Sequence, residues 1–119
     1  EIPELLRRHL EAQGFHDVEV VVLEKGEHPA RSDLSHPFVG MVQRALEEAF
    51  GVKAVLYPNM AGSGPMHPFL HHLGAPAVGL GVGYPGSRVH SPNEHIRIRD
   101  FERGTLALLR LLELYFLGS

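Results

Sequence analysis

The chain has 119 residues, of which 44% are hydrophobic, and it carries a formal net charge of -3 with nine histidines and no cysteine. This apolar content can form a compact core, whereas the charge gives nucleic-acid binding no electrostatic support. The lack of cysteine excludes disulfides, thiolate catalysis and sulfur-ligated zinc, and it is compatible with a cytoplasmic protein.

The first predicted unit, residues 1–28, is a helix followed by a strand. Apolar residues recur at helical spacing before Gly14, which predicts a helix over about 3–13. Valines then alternate along DVEVVVLE, which predicts a strand over 17–24. The next segment, KGEHPARSDLSHP, is rich in turn-forming residues and marks a boundary between two units.

The second unit, residues 29–119, alternates helices and strands. A helix starts near Pro37 and ends at Gly51, and AVLYP (54–58) is a short strand. A second helix follows Pro65, with Ser63 as its N-cap, and residues 76–81 form another strand. This order predicts an α/β fold in which helices pack on a mixed sheet.

The last predicted helix follows a long loop over 82–94, and Asp100 is its predicted N-cap. Its predicted core-facing residues are Phe101, Leu108, Leu109, Leu112 and Phe116. Charged residues within 105–117 interrupt the apolar run, so we expect a buried helix rather than a membrane span.

Two loops are candidate sites because ligands bind beyond the carboxyl ends of strands in open α/β sheets. In the loop 58–65, the backbone around Gly62, Ser63 and Gly64 can bind an anion such as a carboxylate, although an ordinary capped turn is the alternative. In the loop 82–94, His90 is a possible metal ligand, and Asn93 and Glu94 can bind substrate or orient the ligand. One histidine cannot form a zinc site alone.

Histidines also cluster on the helix after Pro65. His67 and His71 are four residues apart and share a helix face, and His72 is adjacent. A histidine-rich metal site is therefore an alternative hypothesis. No glutamate follows His67, so the H-E-x-x-H mechanism is excluded.

The motifs together resemble a known family. The loop Gly62-Ser63-Gly64-Pro65 opens a helix, and HSPNEHIRIRDFERG leads into a final apolar helix. This combination resembles the C-terminal part of the aminoacylase, acetylornithine deacetylase, succinyl-diaminopimelate desuccinylase and dipeptidase family of two-zinc metallopeptidases. Residues 1–28 look like the end of that family's lid, or dimerisation, domain, and residues 29–119 like the C-terminal portion of its catalytic domain.

The resemblance implies hydrolysis of an amide bond next to a free carboxylate, in a dipeptide or an N-acyl amino acid, by zinc-activated water. His90 matches the last zinc ligand, Gly62 and Ser63 match the loop that binds the substrate carboxylate, and Asn93 and Glu94 shape the site. Cobalt or manganese can stand in for zinc. The family's general base and other ligands have no counterpart here, so we expect this chain alone to be inactive.

The resemblance also implies a homo-oligomer, and neither nucleic acid nor membrane is an expected partner. The alternative hypothesis is a stand-alone, non-catalytic binding or assembly module derived from such an enzyme.

Overall fold

The computed structural model contains four helices: α1 (Ile2–Ala12), α2 (Pro37–Phe50), α3 (His67–His72) and α4 (Ile98–Leu117). The structure describes residues 1–23, 26–60, 62 and 64–118. Each helix lies where the sequence predicts one. No helix in these ranges is both long enough and apolar enough to cross a lipid bilayer.

Local signals define both ends of α2. The ring Nδ1 of His36 accepts a hydrogen bond of 3.2 Å from the backbone N–H of Phe38, which satisfies one of the free donors at the helix start. At the other end, Gly51 adopts φ 70°, a left-handed conformation that glycine reaches without steric cost. The sequence therefore predicts both ends of this helix correctly.

The core lies between α2 and α4, which pack against each other. The buried residues of this pair are Val39, Val42 and Ala45 on α2, and Asp100, Gly104, Ala107 and Leu114 on α4. Arg110 of α4 donates a hydrogen bond to Glu48 of α2 at the edge of the contact, and the pKa of Glu48 is lowered by this bond and by that from Arg44. The two helices are thus joined by apolar packing and by an ion pair.

The face that α4 buries differs from the predicted one. The large residues expected to face the core are exposed: Phe101, Leu108, Leu109, Leu112 and Phe116. The helix instead approaches its neighbours through Gly104 and Ala107, because small residues allow close backbone contact. A Cβ added at Gly104 would overlap Cγ1 of Val82.

The start of α4 also corrects the prediction that Asp100 caps it. The N-cap is Arg97, and Asp100 lies inside the first turn, where the residue is only 6% exposed. Arg97 Nε donates a 2.5 Å hydrogen bond to Asp100 Oδ2. Asp100 therefore neutralises the cap residue and lies at the positive end of the helix dipole.

The predicted mixed sheet is not confirmed, because no strand is formed within the described ranges. Side chains tie the three predicted strand segments to the rest of the chain. Arg7 donates to the carbonyl of Val20 at 3.1 Å, and the N–H of Ala54 donates to Glu47 Oε1 at 3.0 Å. A strand needs a neighbouring backbone to satisfy its ladder of donors and acceptors, and these segments have none among the described residues.

The third segment has the most complete side-chain tie. The Ser32 hydroxyl donates to the carbonyl of Ala77 at 2.6 Å and accepts from the N–H of the same residue at 2.8 Å. One serine thus satisfies both backbone groups of Ala77, as a neighbouring strand would.

The helix α3 is shorter than predicted and lies at the surface. Its N-cap is Met66, whereas Ser63, the predicted cap, lies outside the described residues. Its apolar residue Phe69 and the following Leu73 are exposed. The radius of gyration is 19.4 Å, against about 14 Å expected for a compact domain of this length. The chain is therefore extended around one small helical core.

Candidate metal-binding loop

The loop 84–97 is fixed at its start by a buried serine. The side chain of Ser87 is 2% exposed, and its hydroxyl accepts a 2.9 Å hydrogen bond from the N–H of Tyr84. The N–H of Ser87 donates back to the Tyr84 carbonyl at 2.8 Å. The Ser87 carbonyl accepts from the N–H of His95 at 3.1 Å, so this residue joins the two ends of the loop.

The side chains of Tyr84 and His95 join the same ends a second time. The Tyr84 hydroxyl lies 2.8 Å from His95 Nε2, and His95 Nδ1 lies 2.8 Å from the carbonyl oxygen of Asn93. A carbonyl only accepts, so Nδ1 carries the proton and Nε2 accepts from the tyrosine. The guanidinium of Arg97 lies 4.3 Å from the centre of the Tyr84 ring, in a cation–π contact.

Three non-glycine residues of this loop have left-handed backbone conformations. They are Arg88 (φ 55°), His90 (φ 59°) and Asn93 (φ 62°). Such conformations are uncommon outside glycine and cost about 1–3 kcal/mol each, so they persist where surrounding contacts enforce them, often at functional sites. Their concentration within six residues makes this loop the candidate site of the chain.

His90 lies in the middle of these three residues with its side chain exposed. Its backbone N–H donates to Glu94 Oε2 at 3.3 Å, while its ring makes no hydrogen bond to any described residue. The Ser91 N–H donates to the Arg88 carbonyl at 3.0 Å and closes the turn around His90. The ring nitrogens are thus available to a ligand.

The three residues predicted for this loop are therefore close together, with different contacts. Glu94 contacts the backbone of His90, and the carbonyl of Asn93 contacts His95. Both act on the loop's conformation through these contacts. Whether they also contact substrate stays a prediction.

The other candidate loop, 58–65, is described at residues 58–60, 62, 64 and 65. Gly62 is exposed, and the Gly64 carbonyl accepts from the N–H of Met66 at 2.7 Å. Ser63 lies outside the described residues. No hydrogen bond joins the described part of this loop to the loop 84–97, so the expected joint site of Gly62, Gly64 and His90 stays a prediction.

The histidines near α3 form a cluster around His67, which stacks on His71. The ring centres of His67 and His71 are 4.0 Å apart, those of His67 and His28 are 4.8 Å apart, and His72 lies 6.1 Å from His67. Partial removal from water, followed by repulsion from His71, His28 and His72, lowers the pKa of His67 below its ordinary value. The stacked rings of His67 and His71 direct their in-plane lone pairs along nearly parallel lines, which does not suit an ion shared by this pair.

Neither histidine region provides a complete metal site. Across the described ranges, no group of three or more histidine, aspartate, glutamate or cysteine side chains is arranged to hold a metal ion. The exposed ring of His90 fits the role of a single nitrogen ligand. Any ion bound there requires further ligands from outside this set.

Sequence reasoning missed the residues that hold the loop in place: Tyr84, Ser87, His95 and Arg97. The dipeptide Pro85-Gly86 signals a turn, which is the one local indication of their role. A Cβ added at Gly86 would lie 2.5 Å from Cε2 of Tyr84, so the tyrosine ring occupies the space that any other residue would need. Nothing in the spacing shows that a ring packs there.

Comparison with known proteins identifies the family of the chain. Residues 8–114 match the model of peptidase family M20/M25/M40, and the chain belongs to that family. The structure is similar to an M20 family metallo-carboxypeptidase, Sso-CP2 from Sulfolobus solfataricus, with a TM-score of 0.70 and 28% sequence identity. The match covers 96% of this chain and 26% of that one, so the chain spans about a quarter of that enzyme's length. None of the curated proteins compared with the chain matches it.

The fold is thus that of part of an M20 peptidase domain. The family expected from the sequence is confirmed, while the aminoacylase, deacylase or dipeptidase subfamily stays a prediction.

Proposed function

We propose that the chain is the C-terminal portion of a metal-dependent hydrolase that cleaves an amide bond next to a free carboxylate. The substrate class is a dipeptide, an N-acyl amino acid or the carboxyl end of a peptide. The observation that carries the proposal is the exposed ring of His90, which no described residue hydrogen-bonds, at the centre of a fixed loop in a chain of the M20 family. The aminoacylase, deacylase and dipeptidase activities remain the candidate reactions.

In this proposal His90 is one ligand of a divalent metal, zinc by preference and cobalt or manganese as substitutes. The metal would supply Lewis-acid activation of water and of the scissile carbonyl. Glu94 holds the backbone of His90 through its N–H, so the ring is presented at a defined angle. The remaining ligands and the general base come from other parts of the enzyme.

The loop 58–65 is proposed to bind the substrate carboxylate. Gly62 and Gly64 leave their backbone N–H groups open to close approach, because neither carries a side chain. Ser63 is the proposed third member, and Asn93 is proposed to contact the substrate from the other loop. The helix that follows has six residues, so the interaction depends on these groups rather than on a helix dipole.

A direct test compares hydrolysis by the 119-residue chain with hydrolysis by the longest product of the same gene that contains it. N-acetyl amino acids and dipeptides are the substrates, with added zinc. We expect turnover only by the longer product, and a loss of about 100-fold or more in its kcat/KM with His90→Ala, as for removal of a group central to transition-state stabilisation. An unchanged rate with His90→Ala would overturn the ligand assignment, and turnover by the short chain would overturn its proposed inactivity.

The second candidate is a non-catalytic assembly module, and the exposed apolar side chains of α4 favour it. In either case we propose self-association, because exposed apolar surface and backbone segments without sheet partners promote it. Sedimentation equilibrium at micromolar concentration tests this, and a monomer would contradict it. A longer gene product that binds no metal and hydrolyses no amide would favour the module.

A further inference from the structure

The loop 84–97 contains a chain of hydrogen bonds that the proposed chemistry does not use. It runs from the backbone of Tyr84, held by buried Ser87, through the Tyr84 hydroxyl to His95 and on to the carbonyl of Asn93. His90 lies inside the loop that this chain closes. The contacts therefore act on the conformation around His90 without touching its ring.

We propose that Tyr84 and His95 are positioning residues that hold the left-handed turns at His90 and Asn93, and so fix the direction in which the His90 ring is presented to a metal ion. This inference rests on the proposed role of His90 as a ligand. It gives a role to two residues to which neither the motif nor the family match assigns one.

The conformations themselves require such a support. Arg88, His90 and Asn93 all have φ between 55° and 62°, a region in which a side chain crowds the backbone. Asn93 contributes the carbonyl that His95 binds, so this hydrogen bond acts on one of the three strained residues directly. The Glu94 carboxylate binds the N–H of His90, a second of the three.

The tyrosine is held from three sides. The Ser87 hydroxyl binds its N–H, the Arg97 guanidinium lies over its ring at 4.3 Å, and Gly86 provides the space beneath it. Arg97 is bonded in turn to Asp100, which is buried in the first turn of α4. Tyr84 and His95 are thereby tied to the first turn of α4.

Histidine variants separate the two hydrogen bonds. An asparagine amide can replace the Nδ1 donor, whereas the longer glutamine amide reaches the position of Nε2. We expect His95→Asn to keep the bond to the Asn93 carbonyl and lose that to Tyr84, and His95→Gln to do the reverse. Tyr84→Phe removes only the hydroxyl, His95→Phe removes both bonds, and His72→Phe is the matched control at a surface histidine of α3.

The first measurement is backbone conformation by NMR in the 119-residue chain, from the chemical shifts and residual dipolar couplings of residues 88–94. We expect positive φ at His90 and Asn93 to be lost with His95→Phe and kept with His72→Phe. Asn93→Gly in the His95→Phe background should restore the turn at residue 93, because glycine adopts positive φ without strain. Unchanged φ values with both His95→Phe and Tyr84→Phe would overturn the proposal.

The second measurement is a zinc titration of the longest product of the same gene, which contains the remaining proposed ligands. The ring resonances of His90 are followed separately from those of the other histidines. We expect half-saturation of the His90 ring to require about tenfold more zinc with His95→Phe, in line with the loss of other supporting contacts at metal sites. His95→Asn should show a smaller loss than His95→Phe.

The ligand role of His90 and the positioning role of Tyr84 and His95 fail in different ways. If zinc leaves the His90 ring unaffected while the turn depends on His95, the ligand role fails and the positioning of the loop stands. If zinc binds His90 equally well with and without His95, the positioning role fails and the ligand role stands.

Discussion

The loops 58–65 and 84–97 look alike in sequence and differ in structure. Both contain glycine and proline, both follow a short apolar segment and both precede a helix. Only the second contains a buried polar side chain, Ser87, and only it shows positive φ at non-glycine residues among those the structure describes. Composition therefore locates a loop, whereas a few side-chain contacts fix the conformation of the loop 84–97.

The largest effect is expected at Gly104, where α4 lies against Val82 just before the loop 84–97. Gly104→Val places side-chain atoms where Val82 lies, so the segment entering the loop must move away from the helix. We expect a loss of about 3 kcal/mol in the free energy of unfolding, measured by denaturant titration. Hydrogen exchange should increase in residues 84–97 and not in 58–62.

Gly40 of α2 provides the control for this helix substitution. No atom lies within 4 Å of a Cβ added there. Gly40→Ala should raise stability by about 0.5–1 kcal/mol through helix propensity. Equal losses from the two variants would show that the contact with Val82 is not the cause.

The next largest effect is expected at Gly86 of the loop 84–97, and Gly62 of the loop 58–65 is its comparison. Gly86→Ala brings a Cβ to 2.5 Å from the Tyr84 ring, whereas Gly62→Ala brings one to 3.3 Å from the terminal methyl of Met60. The ring is held by Arg97 and His95, while a methionine tip rotates freely. Thermal unfolding should show a loss of about 1–3 kcal/mol for Gly86→Ala and less than about 0.5 kcal/mol for Gly62→Ala. Similar losses would remove the distinction between the loops.

A smaller effect concerns backbone strain at Arg88. Arg88→Gly should be more stable than Arg88→Ala by about 1 kcal/mol, because only glycine relieves the crowding at φ 55°. The matched pair in the other loop is Asn59→Gly and Asn59→Ala, at a residue without positive φ. There the order should reverse, since glycine adds entropy to the unfolded chain. Denaturant titration of the four variants measures both differences.

The smallest effect is the pH dependence from His67, next to the loop 58–65. Its pKa is lowered by partial removal from water and by the neighbouring histidines, with Glu27 acting in the opposite direction. The unfolded chain therefore binds a proton at the His67 ring more tightly than the folded chain does. The contribution of neutral His67 to the free energy of unfolding is complete above about pH 6.5 and is lost as the pH falls below that value. His67→Gln should reduce the loss of stability on acidification, and His9→Gln on α1 serves as the control. An identical pH profile for His67→Gln and the unsubstituted chain would contradict this assignment.

The sequence predicts the helices well because their signals are local. Gly51 ends α2 by adopting positive φ, and such a signal needs no other part of the chain. The face that α4 buries could not be predicted in this way, because that helix has apolar residues around much of its surface. Gly104 and Ala107 determine the contact through their small size, which depends on the neighbour at Val82.

The segments predicted as strands, and the residues that hold the loop 84–97, depend on contacts that local sequence signals do not reveal. Residues 76–81 read as a strand, yet Ala77 is bonded to Ser32, whose identity gives no sign of that role. For the candidate site, the motif around His90 identified the loop, while Tyr84 and His95 became apparent only when their side chains were seen to meet. The metal and substrate roles of His90, Asn93 and Glu94 stay predictions.

The small size of the helical core has a calorimetric consequence. Five apolar side chains are buried in the described part of the chain: Val39, Val42, Ala45, Ala107 and Leu114. The heat-capacity increment of unfolding scales with newly exposed apolar area and is about 12–15 cal/mol/K per residue for ordinary domains. Most large apolar side chains here are already in water, so heating should produce a broad, shallow thermogram with an increment well below that range.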